Sequence, residues 1–183
     1  QPAVIFIDEV DSMLSMRSAD ENEASRRLKT EFLIGLDGAG TRSEDRVLVV
    51  GATNRPQELD EAARRRFVKR MYVPLPDKAG RRQLMNILLK DSDNSLSPED
   101  VEEVVGGTQG FSGADLNALC KDAAMGPIRE LGNKIRSIKA CDVPPMEPRH
   151  FATARRSMRP SVGEEEITHY VKWNDEFGSF SRD

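Results

Sequence analysis

Residues 3–9 read AVIFIDE, an apolar run without alternation that ends in two adjacent acids, Asp8 and Glu9. Apolar residues at every position indicate a strand buried on both faces, which is typical of the centre of a parallel sheet. Such a strand needs neighbours on both sides, and the residues that follow it supply few. We therefore expect this chain to be the later part of a larger α/β fold, with the earlier strands upstream of residue 1.

Two further apolar segments fit the same sheet. Residues 47–52 read VLVVGA and predict a second buried strand, which ends just before Thr53 and Asn54. Residues 71–73 read MYV and predict a third, shorter strand that the following prolines stop. Because strands alternate with helical segments here, residues 1–76 are expected to form the later part of a doubly wound α/β subdomain.

Helical patterns fill the rest of the chain. Residues 23–36 carry apolar side chains four residues apart and predict a helix with one apolar stripe. Residues 97–100, SPED, combine a capping hydroxyl, a proline and two acids, which is typical of a helix start. The apolar positions predicted to face the core are Ala24, Leu28, Phe32 and Leu36 in the first helix, Leu84, Ile87 and Leu88 in residues 78–90, and Leu116, Leu119, Cys120 and Ala123 after Ser112.

The helical part is expected to divide in two. Residues 77–158 predict a small helical subdomain, and Gly126 with Pro127 is expected to kink or end its longest helix. Residues 159–183 predict a C-terminal helix that packs back on the sheet, and its start at residues 161–164 fits the capping-box pattern.

Composition limits the classes of function. Lys plus Arg is 27 and Asp plus Glu is 31, so the net charge of −4 disfavours direct nucleic-acid binding over the whole surface. No apolar run approaches the ~20 residues that cross a bilayer. The first residues carry no basic-then-apolar pattern, so we expect nothing here to direct secretion. Cys120 and Cys141 form no CxxC pair, so we expect a reducing compartment, the cytoplasm or the nucleus.

The adjacent acids Asp8 and Glu9 are the sharpest chemical signal. Ligands of open α/β sheets bind at the carboxyl edge, where this strand ends. Two neighbouring carboxylates are costly unless a cation or a proton transfer uses them. Asp8 can then hold a Mg²⁺ shell, and Glu9 can accept a proton from an attacking water. Residues 4–9 also fit an ordinary strand that ends in a solvated acidic loop.

Two weaker signals accompany the acids. Asn54 follows the second strand at the same expected edge, where a neutral amide can orient a water, although a plain turn before Pro56 also explains it. The run Arg64-Arg65-Arg66 suits phosphate recognition. It also fits a solvated basic face or a nucleic-acid patch.

Taken together, these segments resemble the AAA ATPases of the meiotic clade, which contains katanin, spastin, fidgetin-like proteins and the vacuolar-sorting ATPase that disassembles ESCRT polymers. The resemblance covers essentially the whole chain and is greatest to fidgetin-like proteins, with spastin next. The motifs that carry it are IFIDEVDS (5–12), ASRRLKTEFLIGLDG (24–38), VVGATNRPQELDEAARRRFVKRMYVPLP (49–76) and GFSGADL (110–116), followed by RPSV (159–162) and YVKWNDEFG (170–178).

The resemblance implies a role for each matched position. Asp8 and Glu9 correspond to the Walker B acids, with Asp8 holding Mg²⁺ through water and Glu9 acting as the catalytic base. Asn54 corresponds to sensor 1. Arg65 and Arg66 match the arginine fingers, which reach the ATP of the adjacent subunit in a homo-hexamer.

Further positions follow from the same resemblance. Gln109, Gly113 and Ala114 fall where the small helical domain of the family touches adenine and the sensor 2 region. Residues 15–24 correspond to the second pore loop, which faces the central channel and the threaded polypeptide. The phosphate-binding loop GxxxxGK[ST] has no counterpart, because the chain contains no Gly-Lys dipeptide. We therefore expect a fragment that starts at Walker B, is inactive alone, and belongs to a longer parent.

Two functions follow as expectations. In its parent the chain is expected to serve a hexameric ATPase that remodels protein assemblies, with microtubule severing the leading activity and fidgetin-like handling of recombination complexes also open. The alternative is a truncated, non-catalytic chain that joins or poisons hexamers through Arg65, Arg66 and the C-terminal helix.

Overall fold

A computed structural model describes residues 2–15, 22–38, 47–139 and 142–179. The chain forms two compact units, one of Gln1–Tyr72 with His169–Asp183 and the other of Val73–Thr168. The elements are β1 (Ala3–Ile7), α1 (Asp11–Leu14), α2 (Glu23–Leu36), β2 (Val47–Gly51), α3 (Glu61–Arg66), α4 (Lys78–Leu89), α5 (Pro98–Gly106), α6 (Gly113–Leu131), α7 (Pro148–Ser157) and α8 (Glu164–Phe177), with short 3₁₀ turns at Pro56–Glu58 and Gly132–Arg136.

The first unit is built on two parallel strands. β1 and β2 pair in register from Ala3 opposite Val47 to Ile7 opposite Gly51. A small core beside the sheet joins α1, α2 and α3, and its buried residues are Val10, Leu14, Leu33, Leu59 and Ala63. The pairing of the two apolar segments is as the sequence predicts.

The predicted burial of β1 on both faces is wrong. Val4 is 70% exposed, Phe6 65% and Ile5 47%. Among the described residues the sheet holds only two strands, and only Ile7 of β1 packs against the core of this unit. The apolar side chains therefore lack the covering layers that a central strand requires.

The predicted third strand at residues 71–73 is also wrong. This segment is assigned to no strand, and Met71 and Val73 are largely exposed. Pro74 and Pro76 bound it on one side, and no described strand lies beside it to supply hydrogen-bond partners.

Two predicted apolar stripes are confirmed in part. Phe32 and Leu36 in α2 and Leu84 and Leu88 in α4 are partly buried and pack against the cores, but the most deeply buried apolar positions lie one residue further along. In α2 the buried residues are Lys29 and Leu33, while Leu28 is 58% exposed. In α4 the buried residues are Arg81, Met85 and Leu89, and Ile87 is 62% exposed. Lys29 and Arg81 can be buried because their apolar stems lie in the interior while their charged ends donate to backbone carbonyls.

The described residues of the second unit form helices and no strand. The helix start predicted at residues 97–100 is confirmed, because Ser97 and Asp100 form a complete capping box at α5. Ser112 and Asp115 form a second one at α6. The core of this unit is made by four helices and the loops between them. The buried core residues are Met85, Leu89, Val105, Phe111, Leu116, Leu119, Cys120, Ala123, Met146, Phe151 and Ala154.

The capping box predicted at residues 161–164 is wrong, and so is the predicted end of the longest helix at Gly126 and Pro127. α6 continues through Gly126 and Pro127 to Leu131. Gly126 serves close packing instead, since a Cβ there would lie 2.6 Å from the ring of His150. α8 begins at Glu164, so Ser161 does not cap it; the Ser161 N–H is donated to Asp115 Oδ2 (3.2 Å).

Replacing Phe151 with Ala should destabilise the helical unit strongly. Phe151 is 1% exposed in the centre of its core, and truncating a buried Phe costs about 3–5 kcal/mol through lost burial and the cavity left behind. Hydrogen exchange of the α6 and α7 amides in the purified protein measures the fall in opening free energy. Ile87→Ala, at a position that is 62% exposed, is the control and should change it by less than about 0.5 kcal/mol. A loss below about 1 kcal/mol for Phe151→Ala would contradict this core assignment.

Candidate functional site

The two strands end at one shared edge. Beyond the last pair, the Ala52 N–H donates to the Ile7 carbonyl (2.8 Å), and the Ala52 carbonyl accepts the N–H of Val10 (3.0 Å). The parallel pairing therefore extends past both strands. It places the residues that follow β1, the two acids, beside those that follow β2, Thr53 and Asn54.

The backbone at Glu9 is unusual. Its φ is +49°, and among the described residues no other residue except glycine has a positive φ. The N–H of Glu9 is held by Asp8 Oδ1 (2.9 Å), which favours this turn. L-residues adopt this conformation at an energetic cost, and such costs concentrate at ligand and catalytic sites. Both carboxylates are solvent-exposed at the edge.

Asp11 extends the acidic edge and was missed by the sequence analysis. The hydroxyl of Thr53 donates to Asp11 Oδ1 (2.5 Å) and accepts the N–H of Arg55 (2.9 Å). These bonds tie the turn after β2 to the first residue of α1. The only sequence signal was the third acid in DEVD, residues 8–11, which local pattern alone does not connect to Thr53.

Asn54 is held from the far end of the chain. The hydroxyl of Tyr170 in α8 donates to the Asn54 carbonyl oxygen (2.8 Å). The side chain of Asn54 is exposed. No sequence pattern connects Tyr170 with a residue 116 positions earlier.

The edge offers ligands of the kind that Mg²⁺ uses. That ion is commonly bound through one or two carboxylates together with phosphate oxygens and waters. The exposed Asp8 carboxylate fits this donor set. Within the described ranges no group of three or more His, Cys, Asp or Glu side chains gathers to hold a metal by protein ligands alone.

The arginine run lies on α3, whose start is capped by Asp60. Arg66 makes a two-pronged ion pair with Asp37 at the C-terminal end of α2, through Nε to Oδ1 (2.8 Å) and Nη2 to Oδ2 (2.5 Å). The hydrogen bond to Asp37 raises the pKa of Arg66. Within the described ranges, Arg65 pairs with Glu61 one turn earlier, and its side chain is 75% exposed. The structure thus holds Arg66 in place and leaves Arg65 in solvent.

The residues assigned to adenine contact lie in the helical unit. Gln109 is exposed in the turn before α6, while Gly113 and Ala114 are the exposed first residues of that helix. Asp115 anchors this helix start by accepting hydrogen bonds from the Ser112 N–H and hydroxyl, each at 2.8 Å. Burial pushes the pKa of Asp115 upward, but hydrogen bonds from Ser112 and Ser161 outweigh it, so the pKa is lowered.

The predicted pore loop falls partly outside the described residues, because residues 16–21 are not described. At its start, Ser15 forms an isolated bridge with Leu59. The Ser15 carbonyl also accepts a hydrogen bond from the amine of Lys29 (2.5 Å), a residue that is 2% exposed. In the described part of the chain, no helix combines the length and apolar character that crossing a membrane requires.

Three family models match successive parts of the chain. The model described as the ATPase family associated with various cellular activities (AAA) matches residues 1–75. The AAA+ lid domain matches residues 98–141, and the Vps4 C terminal oligomerisation domain matches residues 135–178. The predicted fold class, the later part of an AAA-type α/β sheet followed by a helical subdomain and a C-terminal helix, is confirmed by these matches.

Two curated relatives and one solved structure extend the match. Fidgetin-like protein 1 of Homo sapiens is 53% identical over 179 residues, 97% of this chain and 27% of the relative. Spastin of Naegleria gruberi is 49% identical over 185 residues, 100% of this chain and 35% of the relative. The chain therefore spans about a quarter to a third of the length of these relatives. The crystal structure of the FIGL-1 AAA domain in complex with ADP superimposes with a TM-score of 0.86 at 47% identity, covering 97% of this chain and 58% of that one. The resemblance to fidgetin-like proteins and spastin is confirmed.

Proposed function

Because this chain belongs to the AAA family of ATPases, we propose that it is part of the catalytic domain of a hexameric enzyme that couples ATP hydrolysis to the remodelling of protein assemblies. The observation that carries the proposal is the shared strand edge, where the acids after β1 lie beside the turn after β2. Nucleotide binding by a structural relative and the match to an oligomerisation domain support it.

Each residue at this edge has a separate role in hydrolysis. Glu9 accepts a proton from the attacking water, and the strained backbone at this residue fixes where its carboxylate starts. Asn54 orients that water through its neutral amide. Asp8 holds Mg²⁺ through water, and the ion, when bound, neutralises charge on the phosphates. Hydrolysis then adds water across the terminal phosphate bond and releases ADP and phosphate.

Residues away from the edge complete the proposed site. Arg65 and Arg66 reach the nucleotide of the adjacent subunit, where a guanidinium stabilises charge that develops in the transition state. Gln109, Gly113 and Ala114 border the adenine. Hexamer assembly is therefore required for turnover, since each site uses residues of two subunits.

Replacing Asn54 with Ala tests the proposal. Losing one positioned polar group in a site of this kind costs about 10²-fold in kcat, so the complete protein that contains this chain should keep ATP binding and lose most turnover. Steady-state phosphate release measures kcat, and a fluorescent ATP analogue measures binding. Asn86→Ala, at an exposed position on α4, should behave like the unsubstituted protein. Absence of Mg²⁺-dependent turnover in the unsubstituted complete protein would contradict the function itself.

We further propose microtubules as the leading substrate, because spastin and katanin-type enzymes are the clade members that the sequence resembles beside fidgetin-like proteins. Recombination complexes are the second substrate class, and the two place the enzyme in the cytoplasm or the nucleus. If microtubules are the substrate, the purified complete protein with ATP should shorten stabilised fluorescent microtubules. Microtubules that stay intact while ATP is turned over at the full rate would favour recombination complexes as the substrate.

A further inference from the structure

The contact between α8 and Asn54 has no role in the function described so far. The Tyr170 hydroxyl donates to the main-chain carbonyl of Asn54 (2.8 Å), so it holds the backbone and leaves the side-chain amide available. The backbone position of a residue decides where its side chain begins. A group that fixes this carbonyl therefore also limits the directions in which the side-chain amide of Asn54 can point.

The Tyr170 ring is held by its neighbours. The ring of Tyr72 lies 6.4 Å from it, centroid to centroid, and that of His169 lies 6.2 Å away with its edge toward it. These distances are typical of attractive aromatic pairs. Because the half-buried ring has little freedom, the hydroxyl is pre-positioned for the Asn54 carbonyl.

The same end of α8 also contacts the arginine helix. Phe177, two turns beyond Tyr170 on the same face, lies under the guanidinium of Arg64 at 5.0 Å and beside the ring of Trp173 at 5.4 Å. Ser179 then pairs with Arg70 through two hydrogen bonds. The Ser179 N–H donates to the Arg70 carbonyl (2.8 Å), and the Ser179 hydroxyl accepts the N–H of Arg70 (2.9 Å). One continuous segment therefore contacts both parts of the chain that carry proposed catalytic side chains.

We propose that Tyr170 is a positioning residue for Asn54, and that the segment 170–179 sets the geometry of the hydrolytic edge as well as serving assembly. The inference rests on the proposed function, in which Asn54 orients the attacking water. It assigns to the C-terminal helix an effect on kcat inside each subunit, separate from any effect on the number of subunits in the ring.

Tyr170→Phe tests this inference, because it removes one oxygen atom and keeps the ring and its packing. The complete protein should lose about two- to tenfold in kcat, the range expected from one net hydrogen bond. The KM for ATP and the fraction of hexamer, measured by mass photometry with ATP, should stay within about twofold, since neither depends on how Asn54 orients a water. The matched control is Tyr72→Phe, which removes a hydroxyl from the partner ring and should leave kcat unchanged.

The outcomes separate the inference from the function beneath it. If Asn54→Ala abolishes turnover while Tyr170→Phe matches Tyr72→Phe, the positioning role is wrong and the proposed function stands. If kcat falls only in proportion to the hexamer fraction, α8 acts through assembly alone, and the inference is again overturned. If Asn54→Ala retains full turnover, the assignment of Asn54 itself fails.

Discussion

Turnover in the Glu9→Gln variant is expected to fall by about 10³-fold, within the range that a general base contributes, while ATP binding persists. Gln keeps the length and shape of the side chain but cannot accept the proton of the attacking water. The backbone turn at this position depends on the Asp8 carboxylate and the Glu9 N–H, which the substitution leaves in place. The loss should therefore appear in kcat, with the affinity for ATP unchanged.

Pre-steady-state phosphate release after mixing with ATP measures this effect directly. Glu103→Gln, at an exposed position on α5, is the matched control and should turn over normally. A second consequence is a longer-lived ATP-bound hexamer, because assembly should persist when hydrolysis stops. Retained turnover in Glu9→Gln would remove Glu9 from the role of base, and loss of ATP binding would show that the substitution disturbed the fold of the edge instead.

The sequence was sufficient to predict the shared strand edge, because the apolar runs and the polar residues that follow them are local features. Two unbroken apolar runs predict parallel strands, and the residues after them must then meet at one side of the sheet. The pairing of Ile7 with Gly51 confirms this arrangement. The placement of Asp8 and Glu9 beside Thr53 needed no information beyond strand direction and strand ends.

Burial could not be predicted in the same way. An apolar run shows what a strand requires, whereas exposure depends on which layers are present to cover it. Phe6 remains 65% exposed because the described residues supply two strands and little above them. The prediction for residues 71–73 failed for a related reason, since a strand needs a neighbour as well as β-forming residues.

Contacts between distant residues account for what was missed in the site. Asp37 and Arg66 are 29 positions apart, and Tyr170 and Asn54 are 116 positions apart. Neither pair has a periodic pattern that marks it. Lys29 is charged and lies off the predicted apolar stripe of α2, yet its amine donates to a backbone carbonyl and its stem is buried. Helix periodicity predicts which face of a helix is apolar, but it does not predict which long charged side chains beside that face bury their stems.

Replacing Arg66 with Ala should lower turnover by about 10³-fold or more, the range for a guanidinium that completes the site of a neighbour. Both carboxylate oxygens of Asp37 bind the Arg66 guanidinium, so the direction of this side chain is set before the adjacent subunit binds. A Lys at this position cannot reproduce the two-pronged contact. Arg66→Lys should therefore be almost as impaired. Arg156→Ala, at an exposed position on α7, controls for the loss of one surface charge.

Mixing the two inactive variants tests where Arg66 acts. The Glu9→Gln subunit retains its arginine, and the Arg66→Ala subunit retains its base. In a ring whose sites lie between subunits, random mixing in equal amounts makes about a quarter of the interfaces complete, because each of two conditions holds half of the time. Turnover should rise well above that of either variant alone. Mixtures that stay as inactive as their components would place both residues in the site of one subunit, and Arg66 would then have to act on its own nucleotide.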